Sequence, residues 1–144
     1  MQRLDSDQIN RLIPDLKIPI RIAFMKSTDL PAVISLWYVC NDGKIYCAAQ
    51  KTAKIVSYLR KNPLCGFEIA ADKPPYKGVR GEGIARILNE TGAYVLDLLM
   101  EKYLGEKESK LSKLLRDNSK TEIAIEITPQ KIVHYDYTKR MKGV

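Results

Sequence analysis

A short basic corner, Gln50-Lys51-Thr52-Ala53-Lys54, separates a predicted strand from a predicted helix that is stopped by Pro63. The first N–H groups of a helix have no partner within it, and the positive end of the helix dipole lies there. Anions therefore bind at this position. Two lysines and a threonine add charge and a hydroxyl at the same place, so the corner predicts a phosphate site. The alternative is a capped, solvated turn.

Residues that could bind a metal or act as nucleophiles are few. The single histidine, His134, falls in a predicted strand, and the three cysteines, Cys40, Cys47 and Cys65, form neither CxxC nor an even set. We expect no metal site and reduced, buried thiols. A Cys–His nucleophile pair remains an alternative that no local motif supports. Gly81-Glu82-Gly83 is not a G-x-G-x-x-G motif and does not lie at the start of a helix, so it does not predict a dinucleotide-binding site.

The net charge of +7 suits an anionic partner, such as a phosphorylated cofactor, an acidic substrate or nucleic acid. Many lysines, however, alternate with acidic residues between positions 106 and 120, as on a solvated helix face. Trp37 and the eight tyrosines fall largely in core-like strands, and no nucleic-acid motif is present. A small-molecule cofactor is therefore favoured over nucleic acid.

The size and apolar content predict a single domain spanning residues 1–144. No apolar run approaches the roughly 20 residues of a membrane span. The N-terminal segment MQRLDSDQIN lacks the apolar region of a secretory signal, so a cytoplasmic location is expected.

Apolar periodicity predicts about seven strands in hairpin-compatible order, with helices inserted between them. There is no alternation of strands with helices of the doubly wound kind, so we expect a mainly β, antiparallel barrel. In the strand 122–128 the isoleucines should face inward and the glutamates outward, and the glycines of 77–88 should mark a bulge, a bend or a close backbone approach. The predicted helices are 5–13, 54–62, 90–104 with Asn89 as its cap, and 106–116; the strands are 18–25, 31–40, 44–49, 64–71, 77–88, 122–128 and 132–137.

The turn Asn41-Asp42-Gly43 predicts a hairpin between the second and third strands. A two-residue loop would place Asn41 opposite Lys44, Tyr38 opposite Cys47, and Ser35 opposite Gln50. One face of this hairpin combines a tryptophan with small or polar residues, which leaves room for a flat ligand or a partner chain. The alternative is an outer barrel face covered by a helix. The face consists of Val33, Ser35, Trp37, Val39, Tyr46, Ala48 and Gln50.

These segments together resemble the FMN-binding split-barrel family related to pyridoxamine 5′-phosphate oxidase. The similar segments are IPIRIAFM, PAVISLWYVCNDGKIYCAA, KTAKIVSYLRKNP, PPYKGVRGEGIARI and TPQKIVHYDY. Their order matches a family succession of strand, P-x-x-x-x-L-W, acidic-Gly turn, I-Y, S/T-x-K helix, N-P and Y-R-G-V-x-x-G. The resemblance covers Pro19 to Tyr137.

The resemblance implies an antiparallel split β-barrel of Greek-key type with six strands and inserted helices. It also implies a homodimer with FMN in two interface clefts, and an FMN-dependent oxidoreductase acting on an unidentified small molecule. The alternatives are a non-catalytic flavin- or F420-binding protein, or a basic β-barrel that binds nucleic acid. By the resemblance, the phosphate is held by Lys51, Thr52 and Lys54 with help from Arg21; the ring is lined by Ser35, Leu36, Trp37, Ala48, Ala49 and Gln50; and Tyr76 and Lys77 come from near the subunit boundary.

The chain departs from the family pattern at the corner. Ala48 and Ala49 stand where the family commonly has hydroxyl side chains, and Ile55 stands where a lysine is common. The corner is therefore either shifted by one residue or binds phosphate more weakly. The deazaflavin F420, which some relatives use, is the alternative cofactor. The arginine- and histidine-bearing C-terminal strand of the oxidase itself is absent, so its substrate is not predicted.

Overall fold

The computed structural model describes residues 5–105 and 109–143. Seven strands form one antiparallel sheet in the order β2-β1-β5-β6-β7-β4-β3. The strands are β1 (Ile20–Ser27), β2 (Leu30–Leu36), β3 (Val39–Asn41), β4 (Lys44–Gln50), β5 (Leu64–Ala70), β6 (Lys77–Leu88) and β7 (Glu122–Asp136). The helices are α1 (Ser6–Leu12), α2 (Lys54–Lys61), α3 (Gly92–Leu104) and α4 (Lys110–Asp117), and a 3₁₀ turn spans Ser119–Thr121.

The core lies on the inner face of the curved sheet, because alternate residues of each strand point to opposite faces. The isoleucines of β7 point inward as predicted, with Ile125 and Ile127 fully buried. Helix α2 closes the core with the three apolar residues of its inner face, Ile55, Val56 and Leu59. The mainly antiparallel β architecture and the boundaries of β4, β5, β6 and α2 agree closely with the sequence prediction.

The predicted strand 31–40 is divided in two, and this corrects the predicted register. At the turn, Asp42 and Gly43 both have positive φ (51° and 75°), and Asn41 lies opposite Lys44 as predicted. Ser35, however, lies opposite Arg21 in β1 rather than opposite Gln50. The division explains why the sheet has seven strands rather than six.

Tyr38 is the residue at which the chain crosses from one edge of the sheet to the other. Its side chain is completely buried. Its hydroxyl donates to the carbonyl of Pro14 at 2.6 Å and accepts from the N–H of Leu16 at 3.1 Å. These bonds fasten the crossover to the segment after α1, so local strand propensity at 31–40 loses to tertiary packing.

The last two predicted strands form one continuous strand, β7. Pro129, expected to separate them, lies opposite Gly83 beside a register irregularity, where a missing N–H donor is tolerated. The glutamates of this segment lie on the outward side of the strand, as predicted, but they are buried there. Glu122 and Glu126 are 8% and 5% exposed, because α3 covers this end of the outer face. Glu126 accepts from the Tyr46 hydroxyl at 3.0 Å and pairs with Arg86 at 3.2 Å.

Close backbone approach accounts for the glycines of β6. A Cβ added to Gly81 would lie 2.2 Å from Cζ of Phe67 and 2.7 Å from the carbonyl oxygen of Lys131. The barrel interior at this point therefore has room for the Phe67 ring only because position 81 has no side chain.

The observed start of one helix, α3, differs from the start predicted from the sequence. Asp5 caps α1, with a reciprocal bond to Gln8. Asn89 does not cap α3; its side-chain oxygen accepts from Arg60 at 2.8 Å, and α3 begins at Gly92. A Cβ at Gly92 would meet the Glu122 carbonyl oxygen at 2.1 Å, so the start of α3 is set by its approach to β7.

Helix α4 presents two of its three leucines outward. Leu111 and Leu114 are 45% and 57% exposed, whereas Ser112 is buried. Residues 106–108 of the predicted helix 106–116 lie outside the described part of the chain.

The cysteines are all free, and Cys47 and Cys65 are buried as expected. Cys40 lies on the edge strand β3 and is exposed, so the expectation of three buried thiols is wrong in this case. Burial raises the pKa of the Cys65 thiol to about 11. Among the described residues no group of three metal-ligating side chains is found, and no helix is long and apolar enough to cross a membrane.

Candidate functional site

The basic corner joins the end of β4 to the start of α2. The N–H of Lys51 donates to the Thr121 carbonyl at 2.9 Å, and the N–H of Ala53 donates to the Gln50 carbonyl at the same distance. The N-cap of α2 is Ala53, and no side chain in the described part of the chain caps this helix. The side chains of Lys51, Thr52 and Lys54 are exposed around this uncapped helix start. The corner thus offers two ammonium groups, a hydroxyl and free N–H groups to an anion.

Gln50 fixes the shape of the corner. Its amide nitrogen donates to Glu122 Oε1 at 2.7 Å and to the Asn118 carbonyl at 3.1 Å, while its oxygen accepts from the Thr121 hydroxyl. Burial raises the pKa of the Glu122 carboxyl, and the bond from Gln50 acts against this shift. The Gln50 amide is therefore engaged within the chain, and its role is to orient the corner.

The residues predicted to line a flat ring are divided between the two faces of the sheet. Trp37 and Ala48 pack against a cluster formed by Val95 and Leu99 of α3 with Ala124 of β7. Helix α3 therefore covers the part of that face around Trp37 and Ala48, whereas Val33 of the same face is exposed. Leu36 and Ala49 instead pack against the inner core, and Ser35 remains exposed on β2.

Arg21 and Tyr76 lie together in a different place, a cavity of about 390 Å³ at the far end of the sheet. None of the corner residues lines this cavity, so Arg21 and the corner lie in separate places within one copy of the chain. Lys77 is exposed beside it, opposite Asp136 in the sheet register. We call this cavity the Arg–Tyr pocket; it is lined by Arg21, Glu68, Ala70, Ala71, Asp72, Tyr76, Arg80, Tyr135 and Tyr137.

The corner and the Arg–Tyr pocket lie at opposite ends of β7. Gln50 pairs with Glu122, the first residue of this 15-residue strand, whereas Tyr135 lies near its last residue. At about 3.3 Å per residue, roughly 40 Å of curved strand lies between them. The sequence-predicted site residues are therefore divided into two groups in a single copy of the chain.

Aromatic and charged contacts shape the pocket. The Arg80 guanidinium lies 4.4 Å from the centre of the Tyr135 ring, and its Nη2 lies 3.4 Å from the Tyr137 hydroxyl. The Tyr135 hydroxyl donates to Glu68 at 3.0 Å. Burial, together with the Glu68 carboxylate, raises the pKa of Tyr135 to about 12.

Sequence reasoning missed Arg80, Tyr135, Tyr137 and Glu68. The signal was present, because Tyr135 near the end of β7 and Tyr137 just after it are two residues apart, and Arg80 lies on the neighbouring strand β6. What was lacking was the strand pairing that brings these residues beside Arg21.

Part of the outer sheet face is left uncovered by the residues that the structure describes. Helix α3 covers the β4 side, but on β2, β5 and β6 the side chains of Val33, Leu64 and Ile84 are 68%, 62% and 43% exposed. Leu64 and Ile84 line a shallow, mainly apolar cavity of about 470 Å³ with residues of β1. A contiguous apolar area on a sheet is typical of a protein–protein contact.

The fold is shared with solved structures of low sequence identity. A conserved hypothetical protein from Mycobacterium tuberculosis superposes with a TM-score of 0.75 at 19% identity, covering 95% of this chain and 88% of that protein. An F420 reductase gives 0.70 at 16% identity, with 86% and 94% covered. A putative pyridoxamine 5′-phosphate oxidase from Listeria innocua gives 0.65 at 14% identity, with 90% and 96% covered.

No model of a protein family matches this chain, and a comparison with curated proteins finds no match. At these identities the structural matches establish the fold and leave the chemistry open. The chain has the split-barrel fold of the proteins related to pyridoxamine 5′-phosphate oxidase, as its sequence resemblance predicted.

Proposed function

We propose that the protein binds a flavin-type cofactor, FMN or alternatively F420, and uses it as an oxidoreductase on a small molecule. The observation that carries the proposal is the exposed corner, in which Lys51, Thr52 and Lys54 surround the uncapped start of α2. A phosphate placed there meets two point charges and the helix N–H groups. The shared fold with an F420 reductase and a putative pyridoxamine 5′-phosphate oxidase supports a cofactor of this class.

The proposed cofactor site lies between two copies of the chain. The corner is exposed, whereas cofactor sites are concave and enclose most of their ligand. The exposed apolar side chains of Val33, Leu64 and Ile84 on the outer sheet face supply a surface on which a second copy can pack. Such a dimer would bring the corner of one protomer toward the Arg–Tyr pocket of its partner. Arg21, Tyr76 and Lys77 would then border the cofactor from the opposite side.

The protein's part in the reaction is binding and orientation. A bound flavin supplies the redox chemistry, and the protein positions it against the substrate. Lys51, Thr52 and Lys54 would hold the phosphate, and Ser35 with the partly exposed edges of Trp37 and Ala48 would border the ring. The remaining predicted residues would support this surface without touching the ring. Leu36 and Ala49 pack against the core, and Gln50 is hydrogen-bonded to Glu122.

Titration of the purified protein with FMN and with F420 separately tests the proposal. One of the two should bind, with a change in its visible spectrum and a rise in melting temperature. The double variant Lys54→Ala with Thr52→Ala should bind at least about tenfold more weakly for each charge-assisted hydrogen bond that it removes. Lys61→Ala, at the other end of the same helix, is the matched control and should bind normally. Binding of neither cofactor would overturn the proposal.

A protein that carries the cofactor without turnover is the second candidate. It shares the same corner and differs only in chemistry. Reduction of the bound cofactor followed by addition of candidate acceptors separates the two, because only the enzyme reoxidises it faster than dioxygen alone does.

A further inference from the structure

The Arg–Tyr pocket contains residues that the corner and the proposed cofactor do not use. Arg80 lies over the face of Tyr135 and reaches the Tyr137 hydroxyl, and Tyr135 is in turn bonded to Glu68. The rings of Tyr135 and Tyr137 are 5.2 Å apart at 38°. These contacts hold one wall of the cavity in a fixed arrangement on β5, β6 and β7, before any ligand arrives.

Arg21 is the exception in this arrangement. It lies opposite Glu68 in the register of β1 and β5, yet it makes no salt bridge or hydrogen bond with any residue that the structure describes. A second arginine, Arg80, flanks the same glutamate on β6. The Glu68 carboxylate is already bonded to the Tyr135 hydroxyl. Arg80 is engaged with Tyr135 and Tyr137, so Arg21 is the arginine of this pocket that has no partner among the described residues.

The other walls supply flat apolar surface. Tyr76 is 42% exposed at the mouth of the cavity, and its carbonyl accepts from the N–H of Tyr137 at 2.9 Å, which fixes the two residues together. A volume of about 390 Å³ is at the lower end of the range of small-molecule sites. Tyrosine faces contact planar rings, and a guanidinium binds a carboxylate through two parallel hydrogen bonds.

We propose that the Arg–Tyr pocket binds a small aromatic acid, a one- or two-ring planar compound that carries a carboxylate. Arg21 pairs with the carboxylate, Tyr76 and Tyr137 contact the ring, and Arg80 and Glu68 hold the tyrosine wall in place. The identification of this compound as the substrate class rests on the proposed function, which places Tyr76 and Arg21 beside the cofactor. The binding itself does not depend on it.

Calorimetric titration of the wild-type protein with 2-naphthoate and with its uncharged match 2-naphthamide tests the inference. The carboxylate should bind at least about tenfold more tightly than the amide, as expected for one charge-assisted bidentate contact. Arg21→Gln should remove this difference by weakening naphthoate binding alone. Tyr76→Ala should weaken both ligands. Arg60→Gln, on α2 outside the pocket, should change neither.

Equal affinity for the two probes, or no binding of naphthoate, would overturn the inference. An equal loss in Arg60→Gln and Arg21→Gln would also overturn it, since that result reports only the net positive charge of the chain. The FMN and F420 titrations, made on the same preparation, separate this site from the proposed function. Selective naphthoate binding without any cofactor binding leaves the pocket assigned and removes the oxidoreductase.

Discussion

The indole of Trp37 lies flat against the ring of Tyr103, with centroids 4.9 Å apart and an interplanar angle of 6°. The Tyr103 hydroxyl donates to the Ile18 carbonyl at 2.9 Å and accepts from the N–H of Tyr38 at 3.2 Å. One side chain of α3 thus holds both the crossover between β2 and β3 and the segment that leads into β1.

Tyr103→Phe should therefore destabilise the fold. The variant keeps the ring contact but leaves the Tyr38 N–H and the Ile18 carbonyl without their partner, which costs about 1–3 kcal/mol. Urea unfolding measured by the fluorescence of Trp37, the only tryptophan, and by circular dichroism gives the change in free energy. Tyr94→Phe, at a position 66% exposed on the same helix, should change stability by less than about 0.5 kcal/mol. Equal effects of the two variants would contradict the role assigned to Tyr103.

The contact between Gly81 and Phe67 predicts a large difference between two Gly→Ala variants. Gly81→Ala places a methyl group 2.2 Å from the Phe67 ring and should lower the free energy of unfolding by at least about 2 kcal/mol. At Gly66 the nearest atoms to an added Cβ are 3.7 Å away, which is ordinary contact, so Gly66→Ala should be tolerated. Thermal unfolding of the two variants provides the comparison. A Gly81→Ala protein as stable as the wild type would show that the barrel is wider here than the structure indicates.

Glu122 should make stability depend on pH. Burial raises the pKa of its carboxyl in the folded protein, so the unfolded chain releases this proton first as the pH rises. The free energy of unfolding should therefore fall as the pH rises from the ordinary glutamate pKa of about 4.3 to the raised pKa of the folded protein. At higher pH the free energy of unfolding should remain at this lower value.

The variant Glu122→Gln removes the free-energy cost of burying an ionised carboxylate. The amide oxygen of the new side chain can still accept the hydrogen bond from Gln50. The variant should be more stable than the wild type at neutral pH, and the gain should disappear below about pH 4. Urea unfolding at several pH values measures it. Glu82→Gln, at an exposed position on β6, is the control for removing one carboxylate. A gain for Glu122→Gln that does not vary with pH would contradict the assignment.

The proposed dimer predicts that a charge on the open sheet face separates the protomers. Val33→Glu, at a position 68% exposed, should leave the fold unchanged and reduce the mass in solution from twice 16.4 kDa to that of one chain. Flavin binding should weaken in the same variant, because the proposed site is shared. Light scattering after size exclusion gives the mass, and Leu111→Glu on α4 is the control that should remain dimeric. A wild-type mass of one chain would exclude this dimer.

Much of the local structure was predictable because short-range physics decides it. The Asn41-Asp42-Gly43 turn needs two residues with positive φ, and this sequence supplies types that accept it. The buried faces predicted from apolar periodicity are also those observed, both for Ile123, Ile125 and Ile127 in β7 and for the inner face of α2. The division of segment 31–40 was not predictable, because the side chain that imposes it, Tyr38, binds partners more than twenty residues away.

In the candidate site, too, local features were predictable from the sequence and long-range contacts were not. The sequence by itself determined that a basic, hydroxyl-bearing corner stands at a helix start, since both the charge and the helix signal are local. Only the tertiary structure decided that Trp37 and Ala48 lie under α3, that Glu122 and Glu126 are buried, and that Arg21 joins Tyr76 rather than the corner. The physical reason is that a pattern of apolar and polar residues predicts which face of a helix or strand is buried. It does not state which other element covers that face, or which strand pairs beside it.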